Sequence, residues 1–375
     1  MTRLFAKPRK VQLVAPHLRE EEVAAVAAVL RSGQLAQGPV VAAFERDFAQ
    51  LLGVQHAVAV NSGTAAIHCA LHGAGIGEGH EVLTTPFTFA ATASPVLMQG
   101  ATVRFVDIDE RTFNVDLQRY AEVATAATRA VVAVDLFGLP FDCEGEEQLR
   151  SRGVVIIEDA CQAIGASRNG EPAGAAYTSA FSFYATKNVV MGEGGVLATN
   201  DDAIAESARR FRQHGQGERY EYLELGYNYR LTDVLAAIGR IQLARLGEMT
   251  QSRRANAAFY DAELRDVPGV TLPLVPAHME HAYHQYTIVV DKASTRNGRD
   301  RDGVRAALSQ VGVASGIYYP KPLHLHPLFG GPERQGEFPV AERLSKQVLS
   351  LPVHGSLTEA DRVYVVSALK AAVGL

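Results

Sequence analysis

Apolar residues recur at helical spacing near the start of the chain and then give way to short β-branched runs. The stretch 16–33, PHLREEEVAAVAAVLRSG, has this spacing and ends in glycine, so it predicts an amphipathic helix. A second helix, VVAAFERDFAQLLG, is predicted after the turn at Gly38 and Pro39. Strands alternating with helices are then predicted from His56, Val103, Ala130 and Val154. This alternation is typical of an α/β fold whose central sheet is mainly parallel and buried on both faces.

The pattern changes after about Leu231. Two long helical stretches, LTDVLAAIGRIQLARLGEM and SRRANAAFYDAELRDV, are followed by an apolar strand, YHQYTIVVD. A helix, RDGVRAALSQVG, a short strand, ASGIYYP, and a closing helix from Thr358 complete the chain. We therefore expect a large α/β domain, with the N-terminal helices, over residues 1–245 and a smaller C-terminal α+β domain over residues 246–375.

Composition narrows the class of protein and of partner. The 375 residues are 47% hydrophobic and carry a net charge of −5 without a basic tract, so we expect no nucleic acid partner. No window approaches the roughly 18 apolar residues of a membrane span, and the N-terminus has no apolar signal region. Cys69, Cys143 and Cys161 lack CxxC spacing, which argues against disulfides and thiolate zinc sites. We expect a cytoplasmic protein that does not bind membranes.

Chemically distinctive residues follow several predicted strands, and in open α/β sheets ligands bind beyond the carboxyl ends of the strands. In AVNSGTAAIHCAL a strand ends at Asn61 and a helix begins near Thr64. Ser62, Gly63 and Thr64 offer hydroxyls, a glycine for close approach and free backbone N–H groups, which suits a phosphate. The alternative interpretation is a helix N-cap and nothing more.

Two phenylalanines lie in TTPFTFAAT. If this segment is extended, Phe87 and Phe89 face the same side, and one of them could lie against a flat ring. Packing in the core is the alternative for either ring.

An acidic residue ends the strand in VVIIEDACQAIGA. A carboxylate at Asp159 is costly to desolvate unless it meets a cation or several donors, so it is a candidate partner for a protonated ring nitrogen. Asp159 could instead cap the next helix. The pattern recurs at Asp107 and Asp135, which weakens the argument for any one of the three.

Lys187 follows the apolar run AFSFYAT and precedes NVVMGEGG, whose glycines allow the backbone to turn tightly over a ligand. Nearby apolar surface should lower the pKa of the amine and so favour the neutral form that attacks an aldehyde. A surface lysine is the alternative. Together the four positions supply a phosphate cradle, a ring platform, an anion for a pyridinium and an amine, which is the set that pyridoxal 5'-phosphate needs.

The chain resembles the DegT/DnrJ/EryC1/StrS family of pyridoxal phosphate-dependent sugar aminotransferases, which have the fold type I architecture of aspartate aminotransferase. The resemblance extends over nearly the whole chain. It rests on SGQLAQGP, NSGTAAIHCAL, TPFTFAATASPVLMQGA, FVDID, IIEDACQAIGA, FSFYATKNVVMGEGG, GYNYRLTDVLAAIG, IYYPKPLHLHP and LSLPVH.

The resemblance implies a role for each site residue. Lys187 is expected to bind the cofactor covalently and to be the catalytic residue, with Asp159 at the pyridine nitrogen. Gln162 is expected near the phenolic oxygen, with Phe89 stacked on the ring. The remaining cofactor-binding residues are expected at the phosphate: Gly63, Thr64, Ser182 and, from the neighbouring subunit of a homodimer with shared active sites, Asn228.

Two positions of this chain are informative when it is compared with members of the family it resembles. Family members often have histidine where this chain has Asp135, so that position is left without a role. Relatives that remove a sugar hydroxyl have histidine at the position of Lys187, whereas this chain keeps the lysine.

The function implied is transfer of an amino group from L-glutamate to a nucleotide-linked ketosugar, in polysaccharide or secondary-metabolite biosynthesis. Candidate substrate contacts are Arg230, Tyr318, Lys321 and His324. Two alternatives stay open: another pyridoxal phosphate enzyme, such as a sugar dehydratase or an amino-acid lyase, and a non-enzymatic regulatory protein on the same fold. The spacing of His278, His281 and His284 lacks an i, i+4 pair, so no metal site is expected.

Overall fold

Thirteen strands are present in the computed structural model, which describes residues 9–375. In chain order they are β1 (His56–Val60), β2 (Glu81–Thr84), β3 (Thr102–Phe105), β4 (Thr128–Val134), β5 (Val155–Asp159), β6 (Ser167–Arg168), β7 (Glu171–Pro172), β8 (Thr178–Ser182), β9 (Gly195–Thr199), β10 (Val270–Thr271), β11 (Met279–Glu280), β12 (Tyr286–Val290) and β13 (Val348–Leu351). Seven of them form the central sheet, in the order β1-β9-β8-β5-β4-β2-β3. Only β9 runs opposite to the other six, so the predicted mainly parallel α/β sheet is confirmed.

Twelve α-helices accompany these strands in residues 9–375. They are α1 (Glu20–Ser32), α2 (Pro39–Leu52), α3 (Gly63–Gly73), α4 (Ser94–Met98), α5 (Leu117–Val123), α6 (Glu146–Arg150), α7 (Asp202–Phe211), α8 (Asp233–Ala244), α9 (Leu246–Leu264), α10 (Arg301–Gln310), α11 (Pro339–Ser345) and α12 (Glu359–Ala372). The helices predicted from periodicity are all present, although α9 begins earlier than its apolar pattern indicated. Within the described chain no helix is long and apolar enough to cross a membrane.

Apolar side chains cover both faces of the central sheet, as the near-continuous β-branched strands require. One face packs against α3 and α7 through residues such as Ile67, Val132 and Ile157. The opposite face packs against α2 and α8 at one end, where Phe44 and Phe181 are buried, and against α5 and α6 at the other. Because side chains alternate along a strand, neighbouring residues of one strand belong to different cores.

A second core lies in the C-terminal part of the chain. The sheet β10-β12-β13 packs with α9, α10 and α12, and Val11 from the N-terminal segment joins it. The expected boundary between residues 245 and 246 falls between α8 and α9, and the division into two domains stays a prediction. The short strand expected in ASGIYYP is wrong, because only Gly316 pairs there, in a single bridge to Ser350.

One buried carboxylate fixes the start of α2. Asp233 in α8 is 1% exposed, and its two oxygens accept hydrogen bonds from the backbone N–H groups of Gly38 (2.9 Å), Val40 (3.2 Å) and Val41 (2.8 Å). The first N–H groups of a helix have no intrahelical acceptor, and the helix dipole favours a negative charge there. Asp233 therefore ties α2 to α8.

We predict that Asp233→Ala lowers the free energy of unfolding by about 3 kcal/mol, because three backbone N–H groups, that of Val41 fully buried, lose a charged acceptor. Asp47→Ala on α2 is the matched control. Asp47 forms an exposed ion pair with Arg240, and its loss should cost at most about 1 kcal/mol. Urea denaturation measures both. Equal effects of the two substitutions would contradict this account of the α2 terminus.

Candidate active site

Four strands of the central sheet end at the same edge, and each is followed by a residue that the sequence singled out. β1 leads into Gly63, β5 ends at Asp159, and β8 ends at Ser182 five residues before Lys187. The segment after β2 holds Phe89. The parallel sheet brings these residues to one edge, as expected for a ligand site in an open α/β sheet.

Asp159 is the buried anion of this edge. Its side chain is 5% exposed, and Oδ2 accepts a hydrogen bond of 2.7 Å from the Thr92 hydroxyl. Thr88 in turn lies 2.9 Å from Thr92, hydroxyl to hydroxyl, and Oδ1 accepts from the backbone N–H of Cys161 at 3.2 Å. Thr92 fixes the orientation of the carboxylate. The sequence analysis missed this role, since no spacing rule links Thr92 to a residue 67 positions later.

The N-terminus of α3 has the geometry of a phosphate cradle. Ser62 caps the helix by accepting from the N–H of Ala65 at 3.1 Å, so its capping role is confirmed. A Cβ on Gly63 would lie 2.8 Å from Cys161 Sγ and 2.9 Å from Ser182 Cβ, closer than real Cβ contacts. Only glycine therefore allows α3 to approach β8 here. Thr64, in the first turn, and Ser182 are both partly exposed beside this approach.

The two phenylalanines of TTPFTFAAT have separate environments. Phe87 is fully buried in an aromatic cluster, whereas Phe89 is 60% exposed. Core packing, the alternative for either ring, applies to Phe87, and Phe89 alone of the two offers a free ring surface. Tyr319 stacks near Phe89, with centroids 6.2 Å apart. The sequence analysis named only the neighbouring Tyr318, as a substrate contact, and assigned no role to Tyr319.

Gln162 is held on both sides of its amide. Its Oε1 accepts from the backbone N–H of Phe137 at 2.8 Å, and its Nε2 donates to the Tyr319 hydroxyl at 3.3 Å. The amide nitrogen of Gln162 therefore faces the Tyr319 hydroxyl. Burial raises the pKa of Tyr319, so its hydroxyl keeps its proton.

Lys187 lies in a turn that the backbone closes tightly. Phe183 N–H donates to Gly194 O and Ala185 N–H to Gly192 O, and both glycines have positive φ, which other residues rarely adopt. Lys187 is partly buried, and its amine has no hydrogen bond or ion pair with another side chain of residues 9–375. Burial lowers the pKa of Lys187, with the nearby Cys161 and Asp159 opposing the shift. The amine is thus biased towards its neutral, nucleophilic form.

These residues fit pyridoxal phosphate. The fit rests on three observations: an uncovered ring face at Phe89, a lysine amine without a partner, and a close approach at Gly63 that leaves backbone donors at the helix terminus. Asp159 would supply the anion for a protonated pyridine nitrogen.

Asn228 and Arg230 lie beside the carboxyl end of β1. Asn61 Nδ2 donates to the carbonyl of Asn228 at 3.3 Å, and Arg230 forms a backbone bridge with Val60. The Asn228 side chain is exposed and that of Arg230 is partly exposed, and neither side chain has a hydrogen-bond partner in the described chain. Both are free to contact a ligand or a second subunit.

The candidate substrate residues near the C-terminus divide into two groups. Lys321 is exposed and Tyr318 is partly buried. His324 is fully buried, lies 3.0 Å from Glu342 and packs against Phe338, with ring centroids 4.7 Å apart. The structure therefore gives His324 a packing role and does not bring it to the site.

Asp135, the position that departs from the resembling family, lies on the opposite face of the sheet from Asp159. It is fully buried beside Glu158, and backbone N–H groups of Phe141 and Gly174 donate to one oxygen of each carboxyl at 2.9 Å. Burial and the charge of Glu158 raise the pKa of Asp135 well above its usual range, which favours a protonated Asp135. Asp135 has a core role.

The three histidines considered for metal binding differ in how far they are buried. His278 is exposed and lies 3.4 Å from Asp142, while burial lowers the pKa of His281 to about 3 and that of His284 well below its usual value. In residues 9–375 no group of three or more His, Cys, Asp or Glu side chains is arranged to hold a metal ion.

Comparisons with known proteins relate the whole chain to one family of sequences and structures. A sequence model of the DegT/DnrJ/EryC1/StrS aminotransferase family matches residues 16–370. A "Pleiotropic regulatory protein" of Geobacillus stearothermophilus is 40% identical over 93% of both chains. A protein of Acidithiobacillus ferrooxidans named as a UDP-N-acetyl-3-dehydro-α-D-glucosamine 3-aminotransferase is 38% identical over 91% of both chains. The solved structure of S. venezuelae DesV is 36% identical, covers 96% of this chain and 95% of its own, and has a TM-score of 0.90.

Proposed function

We propose that this chain, which belongs to the DegT/DnrJ/EryC1/StrS aminotransferase family, moves an amino group from L-glutamate to a nucleotide-linked ketosugar. The family and its structural neighbours make it a sugar aminotransferase with the cofactor pyridoxal 5'-phosphate. The observation that carries the proposal is the partnerless, partly buried amine of Lys187 beside the fixed carboxylate of Asp159. The name of the Acidithiobacillus relative supports a nucleotide-linked ketosugar as the acceptor.

When bound, the cofactor supplies an aldehyde that accepts the amino group and an electron-poor ring that stabilises negative charge at the carbon losing its proton. Asp159 would hold the ring nitrogen, with Thr92 keeping the carboxylate in place. Phe89 would cover one face of the ring, and Gln162 would approach the ring oxygen. Gly63, Thr64 and Ser182 would hold the phosphate at the positive end of α3.

Lys187 is the acid and base of the proposed reaction. A neutral Nζ can take the proton from the α-carbon of the amino acid in the first half-reaction. In the second half-reaction it can deliver a proton to the sugar carbon that receives the amino group. Partial burial of Lys187 favours this neutral form, and the nearby negative charge of Asp159 keeps the pKa from falling further. Positioned proton transfer of this kind contributes about 10² to 10⁴ in rate.

Exposed polar residues around the site edge are available for the sugar nucleotide. Arg230 and Lys321 carry positive charge without an ion-pair partner in residues 9–375, which suits a diphosphate. Tyr318 adds a hydroxyl whose pKa is raised by burial, so it keeps its proton. We propose these three as acceptor contacts and leave out His324, because it is buried.

We also propose a homodimer with shared sites. Residues 213–228 form a hairpin, closed by the bridge between Gln213 and Asn228. Four of its apolar side chains are at least 60% exposed: Tyr220, Tyr222, Leu223 and Leu225. Exposed apolar patches of this kind mark protein–protein contacts, and a second copy is the commonest partner. Asn228 at the base of the hairpin would then reach the phosphate of the other subunit.

The alternatives have less support. A regulatory protein is suggested only by the name of the Geobacillus relative, and the cofactor set described above is complete. A sugar dehydratase would replace the lysine that this chain keeps at position 187. We keep the cytoplasm as the proposed location, which the three free cysteine thiols support.

The amine donor is tested in a half-reaction without sugar. We predict that the cofactor-loaded protein converts L-glutamate to 2-oxoglutarate in a single turnover and then aminates a nucleotide ketosugar. Lys187→Ala should lower both rates by at least about 10², because the acid–base group is lost. Stopped-flow absorbance and mass spectrometry of the products measure the two halves, and NMR of the sugar product gives the ring position.

Lys321→Ala is the control for this experiment, since it lies outside the proton-transfer step and should leave the glutamate half-reaction unchanged. Absence of 2-oxoglutarate from the wild-type protein would rule out glutamate as the donor. Near wild-type turnover by Lys187→Ala would contradict transamination by this site.

Mixing two inactive variants tests the shared site. We predict that Lys187→Ala and Asn228→Ala homodimers, each strongly impaired, regain activity when their subunits are exchanged. In the mixed dimer one site has both Lys187 and its partner's Asn228 intact, so about a quarter of wild-type activity is expected from a random exchange. Activity of the mixture no higher than the average of the two variants would show that Asn228 acts within its own chain.

A further inference from the structure

A small cavity adjoins Lys187 on the side of the N-terminal segment. Its lining includes residues 14–17, Lys187, Asn188, Arg253 and His354. Water-sized molecules can occupy about 60 Å³ of it. A single water needs about 10–15 Å³ on this measure, so the space admits a group of a few heavy atoms and excludes a nucleotide sugar.

Arg253 is a buried cation without an acid. The side chain is 8% exposed, and Nη1 donates to the carbonyl of Tyr283 at 3.0 Å. No carboxylate forms an ion pair with it in the portion of the chain that the structure describes. Burial alone lowers the pKa of Arg253 to about 10, which still leaves it charged at neutral pH. A buried charge of this kind is costly unless an anion compensates it.

Two acceptor atoms beside this cation also lack partners. Asn188 is 6% exposed, and its Nδ2 donates to the carbonyl of Ala282 at 3.0 Å, while its Oδ1 has no donor. His354 is 7% exposed, with Nε2 bonded to the carbonyl of Gln12 and Nδ1 unpaired. Buried polar atoms are almost always hydrogen-bonded, so these two atoms indicate a missing donor.

The cation and the reactive amine line the same cavity. Lys187 and Arg253 both lower the pKa of His284, which burial alone already lowers. Arg245 and Glu248 also line the cavity, but they are already paired, with Glu22 and Arg19 respectively. Arg253 is therefore the unpaired cation, and Asn188 and His354 offer two neutral acceptors in the same cavity as the Lys187 amine. The α-carboxylate and ammonium groups of an amino acid complement these features.

We propose that this cavity is the subsite for the amino-acid donor, with Arg253 binding the α-carboxylate and Asn188 and His354 accepting from the nitrogen-bearing end. The inference rests on the proposed amine transfer, for which it supplies the donor site. A carboxylate fits the volume and neutralises the lone guanidinium. The sugar substrate would be held elsewhere, at the exposed edge near Arg230.

Binding of an unreactive donor tests the subsite. The probe is α-methyl-L-glutamate, which has no α-proton to lose, and its partner probe is the same molecule with the α-carboxyl converted to an amide. Calorimetry with the cofactor-loaded wild-type protein should give a dissociation constant about 10- to 100-fold lower for the carboxylate probe, as for a charge-assisted hydrogen bond. Arg253→Gln should bind the two probes within about twofold of each other, since the discriminating cation is gone.

Arg254→Gln is the matched control. Arg254 lies on the same helix, α9, and donates to the carbonyls of His281 and Gly165, but it is outside the cavity lining. It should keep the preference for the carboxylate probe. Arg253→Lys should keep a part of it, because a point charge replaces a planar fork.

The proposal is overturned if the wild-type protein binds both probes equally, or if Arg253→Gln keeps the full preference. Should Arg253→Gln fail to fold, the comparison of the probes on wild type and on Arg253→Lys decides. Arg253-dependent binding without amine transfer to any nucleotide ketosugar would leave the subsite standing and remove the proposed acceptor. Transfer to a sugar with no dependence on Arg253 would do the reverse.

Discussion

A carboxylate at the end of a buried strand is the constraint on which the rest of the site depends. Asp159 cannot turn to solvent, because the strand before it is covered on both faces and Thr92 holds one of its oxygens. Placing a charge there costs free energy, which a cation at the same edge offsets. The family's cofactor brings such a cation in its protonated ring, so in the function we propose the position of Asp159 fixes where that ring lies.

The parallel sheet brings the other site residues to the same edge as Asp159. Strands β1, β5 and β8 end at the same edge of the sheet. The ends of these strands therefore position both the helix terminus at Gly63 and the turn that carries Lys187. Glycine is needed at two points of this edge: at Gly63, where α3 approaches β8 closely, and at Gly194, where φ is positive. Burial at this edge lowers the pKa of the Lys187 amine while the nearby Asp159 opposes the shift, so the lowered pKa is a consequence of the fold.

The sequence predicts most of this arrangement, and its errors have physical causes. The spacing of apolar residues predicts the order of strands and helices. The positions of Lys187 and Asp159 after apolar runs identify them as site candidates. Local pattern does not contain long-range contacts, so the bond from Thr92 to Asp159 was missed. Pattern also cannot distinguish a buried imidazole from an exposed one, and His324 was assigned to the substrate although Glu342 holds it in the core. The separate exposures of Phe87 and Phe89 depend on what packs above each ring.

The most direct test of the account is the covalent position of the cofactor. Borohydride reduction of the fully loaded protein, followed by peptide mass spectrometry, identifies the side chain that was bonded to pyridoxal phosphate. The account predicts that the added mass lies on Lys187 alone. Added mass on a different lysine, or none in a fully loaded sample, would contradict it.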